Sequence, residues 1–379
     1  MVTTIPDTIS AFLLPFAAYF RAQGWRVDAM AQGISANTEC LNAFDRVWEV
    51  QWSRNPLHPQ NLLVAPQIIQ DLITLEKYDI VHVHTPVASF VTRYAIKNLS
   101  SKHRPQVIYT AHGFHFYRGG KPLRNAVFLF LEKLAQHWTD YLVVINREDE
   151  AAVKRYQLIA SERLRYMPGI GVNRSHYTSD AIPEVEVEQV RIALGLAPET
   201  QLFLSVAEFI PRKRPQDILK AFALLARPDT CLAFAGEGPL MHQMQQLASE
   251  LGVQNQVRFL GYRQDIGTLL QAAVATVLVS EQEGLPRSVM ESLCSATPVI
   301  GTSIRGIQDL LTEGGGLLVN VGDVEGLATA LAWILDHPQE ARVMGESGRF
   351  SMANYDLNHI LKLHESLYAE AMNACGTYQ

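Results

Sequence analysis

Short apolar runs alternate with amphipathic segments along nearly the whole chain. Apolar runs bounded by turn residues indicate strands that are buried on both faces, as in parallel sheets. The runs predicted as strands are residues 26–30, 79–84, 106–111 and 141–145 in the first half, and 202–206, 231–235, 257–260, 275–279, 299–301 and 316–319 in the second. Predicted helices between them include 11–23, 62–76, 123–137, 215–225, 239–251 and 324–335. This alternation is typical of an α/β fold with helices covering parallel sheets.

Two domains are expected, because 379 residues exceed what one core usually organises. The acidic segment 179–199 has no predicted strand and carries two prolines, so it is the expected bridge between them. We therefore predict Rossmann-like domains at 1–180 and 181–355 that face each other across a cleft, followed by a helix at 356–379. Only Val2, Thr3 and Thr4 precede a loop predicted at residues 5–8, so the first strand is expected to be short.

Charge is unevenly divided between the two halves. Residues 1–180 hold 19 Lys and Arg against 15 Asp and Glu, and the remainder holds 13 against 23, within a net charge of −6. A basic first half indicates that this half alone faces an anionic surface or acceptor. Its excess of positive charge is too small for a nucleic-acid-binding protein.

The chain contains no apolar run long enough to cross a bilayer and no recognisable signal peptide, so we expect a cytoplasmic protein. Its four cysteines, Cys40, Cys231, Cys294 and Cys375, lack the paired spacing of a zinc site or a small disulfide framework. They are expected to be reduced.

Two carboxylates lie eight positions apart at a predicted strand-to-helix junction. Glu283 falls in the loop after strand 275–279, and Glu291 falls inside a helix that Pro286 is placed to begin. The loop allows both carboxylates to approach different parts of one ligand. An ordinary solvated pair of glutamates flanking an amphipathic helix is the alternative. Between them, Gly284, Leu285 and Pro286 lead into the free N–H groups of a first helical turn, where a phosphate can bind.

Three consecutive cations, Arg212, Lys213 and Arg214, follow the predicted strand 202–206 just before a helix. Fixed cations stabilise the negative charge that develops on a departing diphosphate. A solvated basic turn is the alternative interpretation. No Asp-x-Asp follows a strand to hold a divalent metal on the diphosphate, so we expect Lys and Arg to take that role without a metal.

His112 follows the strand 106–111, at the end of a parallel strand where ligand-contacting loops lie. A packed histidine is the alternative, although the adjacent Gly113 favours a functional role. His82 and His84 share one strand face and could hold a metal, but the sequence offers no evident third ligand.

Residues 280–302 resemble the glutamate-pair motif of the retaining nucleotide-sugar glycosyltransferases of family 4. The resemblance implies that Glu283 contacts hydroxyls of the donor sugar and that Glu291 holds the ribose. It also implies that Lys213 grips the diphosphate and that His112 reaches the donor sugar. The sequence departs from the family at Glu208, where an Arg is usual, and Arg212 or Arg214 are the candidates to replace it.

The same resemblance implies a GT-B fold, meaning two Rossmann-like domains, with a last helix that packs back on the first domain. In this family the turn containing Gly236, together with residues 261–266, surrounds the nucleotide base. Arg263 then becomes a candidate neighbour of the base or ribose, with a surface charge as the alternative.

Segments 112–116, 168–173 and 285–291 look most like bacterial N-acetylhexosaminyltransferases, which add an N-acetylhexosamine to polyprenyl-diphosphate-linked sugars. The implied function is transfer of a hexose or N-acetylhexosamine from a UDP-sugar to a lipid-linked saccharide, with retention at the anomeric carbon, in surface polysaccharide synthesis. A UDP-sugar epimerase of the same architecture and a catalytically silent nucleotide-binding scaffold are the alternatives.

Aromatic and basic residues interleave in the first half in a way that suits a lipid headgroup layer. The residues concerned are Phe114, Phe116, Tyr117, Arg118, Lys121, Arg124, Phe128 and Phe130. They predict peripheral binding to the anionic inner face of the plasma membrane, with packing of about half of these aromatic residues in the core as the alternative.

Overall fold

The structure is a computed structural model that describes residues 1–53, 58–100 and 104–376. Its internal contacts divide the chain into two compact units. The first comprises Met1–Ile170 and Asn358–Gln379, and the second comprises Gly171–Leu357. The change of unit lies at residue 170, before the expected boundary at 180. Residues 377–379 of the expected last helix lie outside the described part.

Within the described residues, the first unit contains six strands and seven α-helices, together with the C-terminal helix Leu357–Gly376. The strands are β1 Asp28–Ala31, β2 Arg46–Glu49, β3 Ile80–Val83, β4 Gln106–Ala111, β5 Tyr141–Val144 and β6 Leu164–Tyr166. The helices are α1 Pro6–Phe12, α2 Leu14–Ala22, α3 Thr38–Ala43, α4 Ala65–Glu76, α5 Pro86–Ile96, α6 Pro122–Ala135 and α7 Arg147–Tyr156.

All strand pairs of this unit are parallel. The ladders are β1–β2 and β3–β4–β5–β6, and Val2 forms parallel bridges with both Met30 and Val83. A single residue therefore joins the two ladders in place of a full first strand. β4 is buried along nearly its whole length, which explains why its position was predicted to the residue.

Two expectations for the first unit are wrong, and two of its strands were not predicted. Residues 5–8 were expected to be a loop, but α1 begins at Pro6 because a proline suits the first helical position. β2 and β6 were not predicted, since both are short and half-exposed and lack a buried apolar run. Phe114 and Phe116 of the proposed membrane surface lie buried in the core, where their rings stack.

The C-terminal helix packs on α2 within the first unit. Tyr19 donates a hydrogen bond to Glu365 at 2.8 Å, and the ring of Phe16 meets that of His364 at 4.9 Å. Phe20 and Tyr368 pack ring to ring at the same separation. These contacts bury aromatic side chains along one face of the helix.

The second unit contains a six-stranded parallel sheet in the order β12-β11-β10-β7-β8-β9. Its strands are β7 Gln201–Val206, β8 Thr230–Ala235, β9 Val257–Phe259, β10 Ala275–Leu278, β11 Val299–Thr302 and β12 Gly316–Val319. Its helices are α8 Glu184–Ala193, α9 Pro215–Leu225, α10 Met241–Glu250, α11 Ile266–Ala272, α12 Arg287–Cys294, α13 Ile307–Leu311, α14 Val324–Asp336 and α15 Pro338–Ser351. Every predicted strand of this half is present.

The segment 179–199 is not the bridge that its acidity suggested. It forms α8, which packs against α11 and contributes Val190 to a core cluster of the second unit. Its acidic residues lie on the outer face, since helices at a surface bury only one stripe.

No helix in the described ranges is long and apolar enough to cross a membrane.

Candidate active site

Two neighbouring strands of the second sheet carry the central residues of the site. β7 and β10 pair in parallel, so the loops that follow them leave the same edge of the sheet. The loop after β7 ends in the three cations before α9, and the loop after β10 contains Glu283 before α12. This topology brings sequence-distant residues of opposite charge together.

Lys213 and Glu283 form an ion pair at this edge. Lys213 Nζ lies 2.5 Å from Glu283 Oε1, and Ser280 donates a hydrogen bond to the same oxygen at 2.6 Å. The two side chains are only 13% and 9% exposed. Arg212 donates to the carbonyl of Gln282 at 3.1 Å and lies 3.8 Å from Glu283 Oε2. A carboxylate and two cations therefore share one partly enclosed position.

Two residues that sequence reasoning missed anchor the Glu283 loop. Buried Arg305 donates from Nε to the Glu283 carbonyl oxygen at 3.0 Å. Gly306 has φ 76°, and a Cβ built there would lie 2.2 Å from the Gly284 carbonyl oxygen. Only a glycine permits this approach. A glycine following β11 was visible in the sequence, but nothing there linked it to the loop after β10.

Arg214 is held away from Glu283 by other carboxylates. It pairs with Asp217 at 2.5 Å on α9 and with Glu281 at 2.8 Å. These bonds fix the turn into α9. Of the two candidate replacements for the missing family arginine, Arg212 is the one beside Glu283.

Glu291 is the fifth residue of α12, and its side chain has a different set of partners. Tyr177 donates its hydroxyl to Glu291 Oε1 at 2.7 Å, and Arg287 Nε lies 2.8 Å from the same oxygen. Burial, together with the charge of Glu291, raises the pKa of Tyr177. Tyr177 is a neutral donor here. Nothing in the sequence linked Tyr177 to Glu291, because the two residues lie more than a hundred positions apart.

Pro286 caps α12, so the N–H groups of Arg287, Ser288 and Val289 open the helix. The first N–H groups of a helix have no partner within the helix, and they carry a partial positive charge. Gly284 and Leu285 lead directly into this turn. The arrangement provides donors for an anion at the end of the loop that carries Glu283.

Gly236 and Arg263 have structural roles in the described contacts. A Cβ at Gly236 would lie 2.0 Å from the Ala207 carbonyl oxygen, so glycine is needed for two loops to touch. Arg263 forms two hydrogen bonds with Asp265, at 2.7 and 2.5 Å. The charge of Arg263 is therefore already matched by a neighbour.

His112 lies in the first unit, beside other histidines. His84 Nδ1 is 2.9 Å from His112 Nε2. His82 contacts the Tyr368 hydroxyl at 2.5 Å and the Thr110 hydroxyl at 2.7 Å. In the described parts of the chain, no group of three or more His, Cys, Asp or Glu is arranged to hold a metal. The pair His82 and His84 is therefore packed within a hydrogen-bonded cluster.

Burial lowers the pKa of these histidines. The pKa falls to about 4 for His112, where His364 adds a smaller repulsion, and to about 4 for His364 itself. The pKa values of His82 and His84 also lie well below their ordinary range, chiefly through burial. His112 is consequently neutral at physiological pH and can exchange hydrogen bonds but not charge.

We expect the first unit to lose stability as the pH falls from about 6.5 towards 4. A histidine whose pKa is depressed by folding binds protons more readily when unfolded, so acid favours unfolding. For His364 alone the loss is about 3 kcal/mol once the pH lies below both pKa values. Urea unfolding followed by tryptophan fluorescence reports this unit, because four of the five tryptophans lie in it.

The matched variants are His364→Gln, in the cluster, and His242→Gln, at an exposed position on α10. The first should reduce the dependence of the unfolding free energy on pH, and the second should not. Equal pH dependence in both variants would contradict the account.

Comparison with known proteins shows two family matches that together span most of the chain. Residues 10–170 match the model described as Glycosyltransferase Family 4, and residues 186–350 match the model described as Glycosyl transferases group 1. The first match lies within the first unit and the second within the second unit.

This chain also aligns with characterised or named proteins over most of their length. A putative glycosyltransferase, EpsD, from Bacillus subtilis is 32% identical over 98% of this chain and 96% of its own. The UDP-Gal:α-D-GlcNAc-diphosphoundecaprenol α-1,3-galactosyltransferase of Escherichia coli is 26% identical over 75% of this chain and 73% of its own. The crystal structure of HepE from Anabaena in complex with UDP superposes with a TM-score of 0.78 and 18% identity, covering 97% of this chain and 98% of that one.

Proposed function

Because this chain belongs to the family 4 glycosyltransferases and has their GT-B fold, we propose that it moves a hexose or N-acetylhexosamine from a UDP-sugar to a polyprenyl-diphosphate-linked saccharide. The family and its relatives support a general function of glycosyl transfer in polysaccharide or glycoconjugate synthesis. The donor is supported by the UDP-galactose in the name of the Escherichia coli relative, and the acceptor by its diphosphoundecaprenol. The observation that carries the proposal is the Lys213–Glu283 pair beside the first turn of α12.

The diphosphate of the donor is bound by cations and helix amides in this proposal. Lys213 and Arg212 supply positive charge, and the N–H groups that open α12 supply hydrogen bonds. These fixed groups stabilise the charge that develops on the leaving oxygen. Transfer is therefore proposed to proceed without a divalent metal.

The sugar is proposed to transfer with retention by attack on the same face. The acceptor hydroxyl oxygen bonds to the anomeric carbon as the bond from that carbon to the diphosphate oxygen breaks. The departing diphosphate oxygen takes the hydroxyl proton and leaves as UDP. No protein nucleophile is required. A carboxylate held by both Lys213 and Ser280 is suited to orient the sugar rather than attack it.

His112 is proposed to contact the donor sugar through a hydrogen bond. Its ring is neutral in the unliganded protein, which favours a hydrogen bond over a charge contact with the sugar. His112 Nε2 is already in contact with His84, so His112 Nδ1 is the nitrogen proposed to contact the sugar.

Glu291 is proposed to hold the ribose, and Glu291→Gln tests this role. Carboxylates accept hydrogen bonds from hydroxyls more strongly than amides do, so the wild-type protein should bind UDP about tenfold more tightly than 2′-deoxy-UDP. The variant should lose most of this preference in isothermal titration calorimetry. If the variant kept the full preference for UDP, Glu291 would not contact the ribose 2′-hydroxyl.

The proposed function is tested with a panel of UDP- and GDP-sugars and a lipid-linked saccharide acceptor, with and without EDTA. We expect mass spectrometry to show an acceptor one hexose or N-acetylhexosamine heavier, from a UDP-sugar only and regardless of EDTA. An isomerised sugar formed from donor alone would instead indicate an epimerase. Nucleotide binding with no product from any pair would indicate a silent scaffold.

A further inference from the structure

Helix α6 carries an exposed apolar stripe on its outer face. Leu123, Val127, Phe130 and Leu134 follow one another at intervals of four, three and four residues, which places them on one side of a helix. Leu123 is 80% and Phe130 65% exposed. The stripe runs roughly 17 Å along the helix axis. Apolar side chains in such an uninterrupted row indicate a surface that meets something apolar.

The inner face of α6 is fixed to the first unit, so the stripe cannot turn inward. Phe128 and Leu129 pack on the core, and Glu132 bonds to buried Arg93 at 3.0 Å and to the Tyr109 hydroxyl at 3.2 Å. Glu132 is the only acidic residue of the helix. Its carboxylate is directed to the interior.

The rim of the stripe is positively charged. Arg124 and Lys133 are exposed on α6, and Lys121 and Arg118 are exposed immediately before it. Since the helix presents no acidic side chain outward, its outer surface combines apolar contact with positive charge alone. That combination fits a bilayer, where rings and aliphatic groups enter the acyl boundary and cations meet lipid phosphates. Two copies packed through this face would instead bring like-charged rims together.

We propose that the α6 stripe, Leu123, Val127, Phe130 and Leu134 with its basic rim, docks the first unit on an anionic lipid bilayer. Binding to a bilayer is useful to the protein only if the proposed function holds, because a polyprenyl-linked acceptor lies in a bilayer. The assignment of the docking surface depends only on the exposure and charge of α6. It differs from the surface expected from sequence, of which Phe114 and Phe116 are buried.

The test is flotation of the full chain with phosphatidylcholine vesicles and with vesicles that also contain phosphatidylglycerol. The variant Leu123→Gln with Phe130→Gln removes two apolar groups of the stripe. The matched control is Val343→Gln with Phe350→Gln, because these residues are 63% and 85% exposed at the same seven-residue spacing on α15 of the second unit. A third variant, Arg124→Gln with Lys133→Gln, tests the rim.

We expect the wild-type protein and the control to float with anionic vesicles, and the stripe variant to lose at least tenfold in partitioning. The rim variant should lose the preference for anionic over neutral vesicles. Equal flotation of the stripe variant and wild type, or equal losses in stripe variant and control, would overturn the proposal. So would a dimer in gel filtration that the stripe variant alone dissociates, since a second copy would then be the occupant.

Transfer to a short-chain, water-soluble acceptor separates this inference from the proposed function. The stripe variant should retain that activity while losing flotation. If neither wild type nor variant transferred sugar but the flotation pattern held, the proposed function would fail and the docking surface would stand.

Discussion

Replacing Lys213 with methionine is expected to lower kcat/KM for sugar transfer by about 10²–10³-fold. Lys213 is the cation in direct contact with Glu283, and the proposal places it on the departing diphosphate. Methionine keeps the length of the side chain but removes its charge. The loss should be concentrated in kcat, because the charge on the leaving oxygen is largest in the transition state. Initial rates with a saturating acceptor measure this effect.

The same substitution at Lys220 is the matched control, since that lysine is exposed on α9 and its change should leave kcat/KM unaltered. Glu283→Gln should also lose activity, and the double variant should be little worse than the worse single variant, because residues that act as a unit are not additive. Full activity in Lys213→Met with an intact circular dichroism spectrum would refute the role of the pair.

Gly306→Ala is expected to reduce kcat/KM by about 10²-fold or more, although Gly306 itself touches no proposed substrate group. The new Cβ would lie 2.2 Å from the Gly284 carbonyl oxygen, so the loop that carries Glu283 must move. A displacement of about 1 Å in a positioning element costs activity on this scale. Transfer kinetics and UDP affinity report the effect.

Gly24→Ala separates loop displacement from backbone strain. Gly24 has φ 84°, similar to the 76° of Gly306, but a Cβ there meets nothing within 4 Å. Gly24→Ala should lose about 1–2 kcal/mol of stability, because alanine disfavours a positive φ, and Gly306→Ala should lose more, because its Cβ also clashes with the Gly284 carbonyl oxygen. Only Gly306→Ala should lose activity. Equal activity in the two variants would show that the contact with Gly284 does not position the site.

The fold was predictable wherever burial was complete. Strands such as β4 and β8 are buried along nearly their whole length and mostly apolar, so the apolar pattern located them. β2 and β6 escaped because short, half-exposed strands have no distinctive period. The segment that forms α8 was misread because its acidic residues concealed a single buried stripe, which only its packing on α11 makes clear. The two-domain α/β class and its GT-B fold are confirmed by matches that span most of the chain.

The site was predictable in its motifs but not in its partners. The spacing of Glu283 and Glu291 and the run containing Lys213 stood out because their chemistry is compact in sequence. That Lys213 contacts Glu283 depends on β7 lying beside β10, which is a property of sheet order. Arg305 and Tyr177 are single residues whose roles arise only from tertiary contacts, so no local pattern marks them.

The structure of this protein with UDP bound tests the central claim most directly. We expect Lys213 Nζ to lie about 3 Å from a diphosphate oxygen and the first amides of α12 to face the same group. We also expect Glu291 to accept a hydrogen bond from a ribose hydroxyl. UDP bound away from the loops that follow β7 and β10, with Lys213 making no phosphate contact, would contradict that claim.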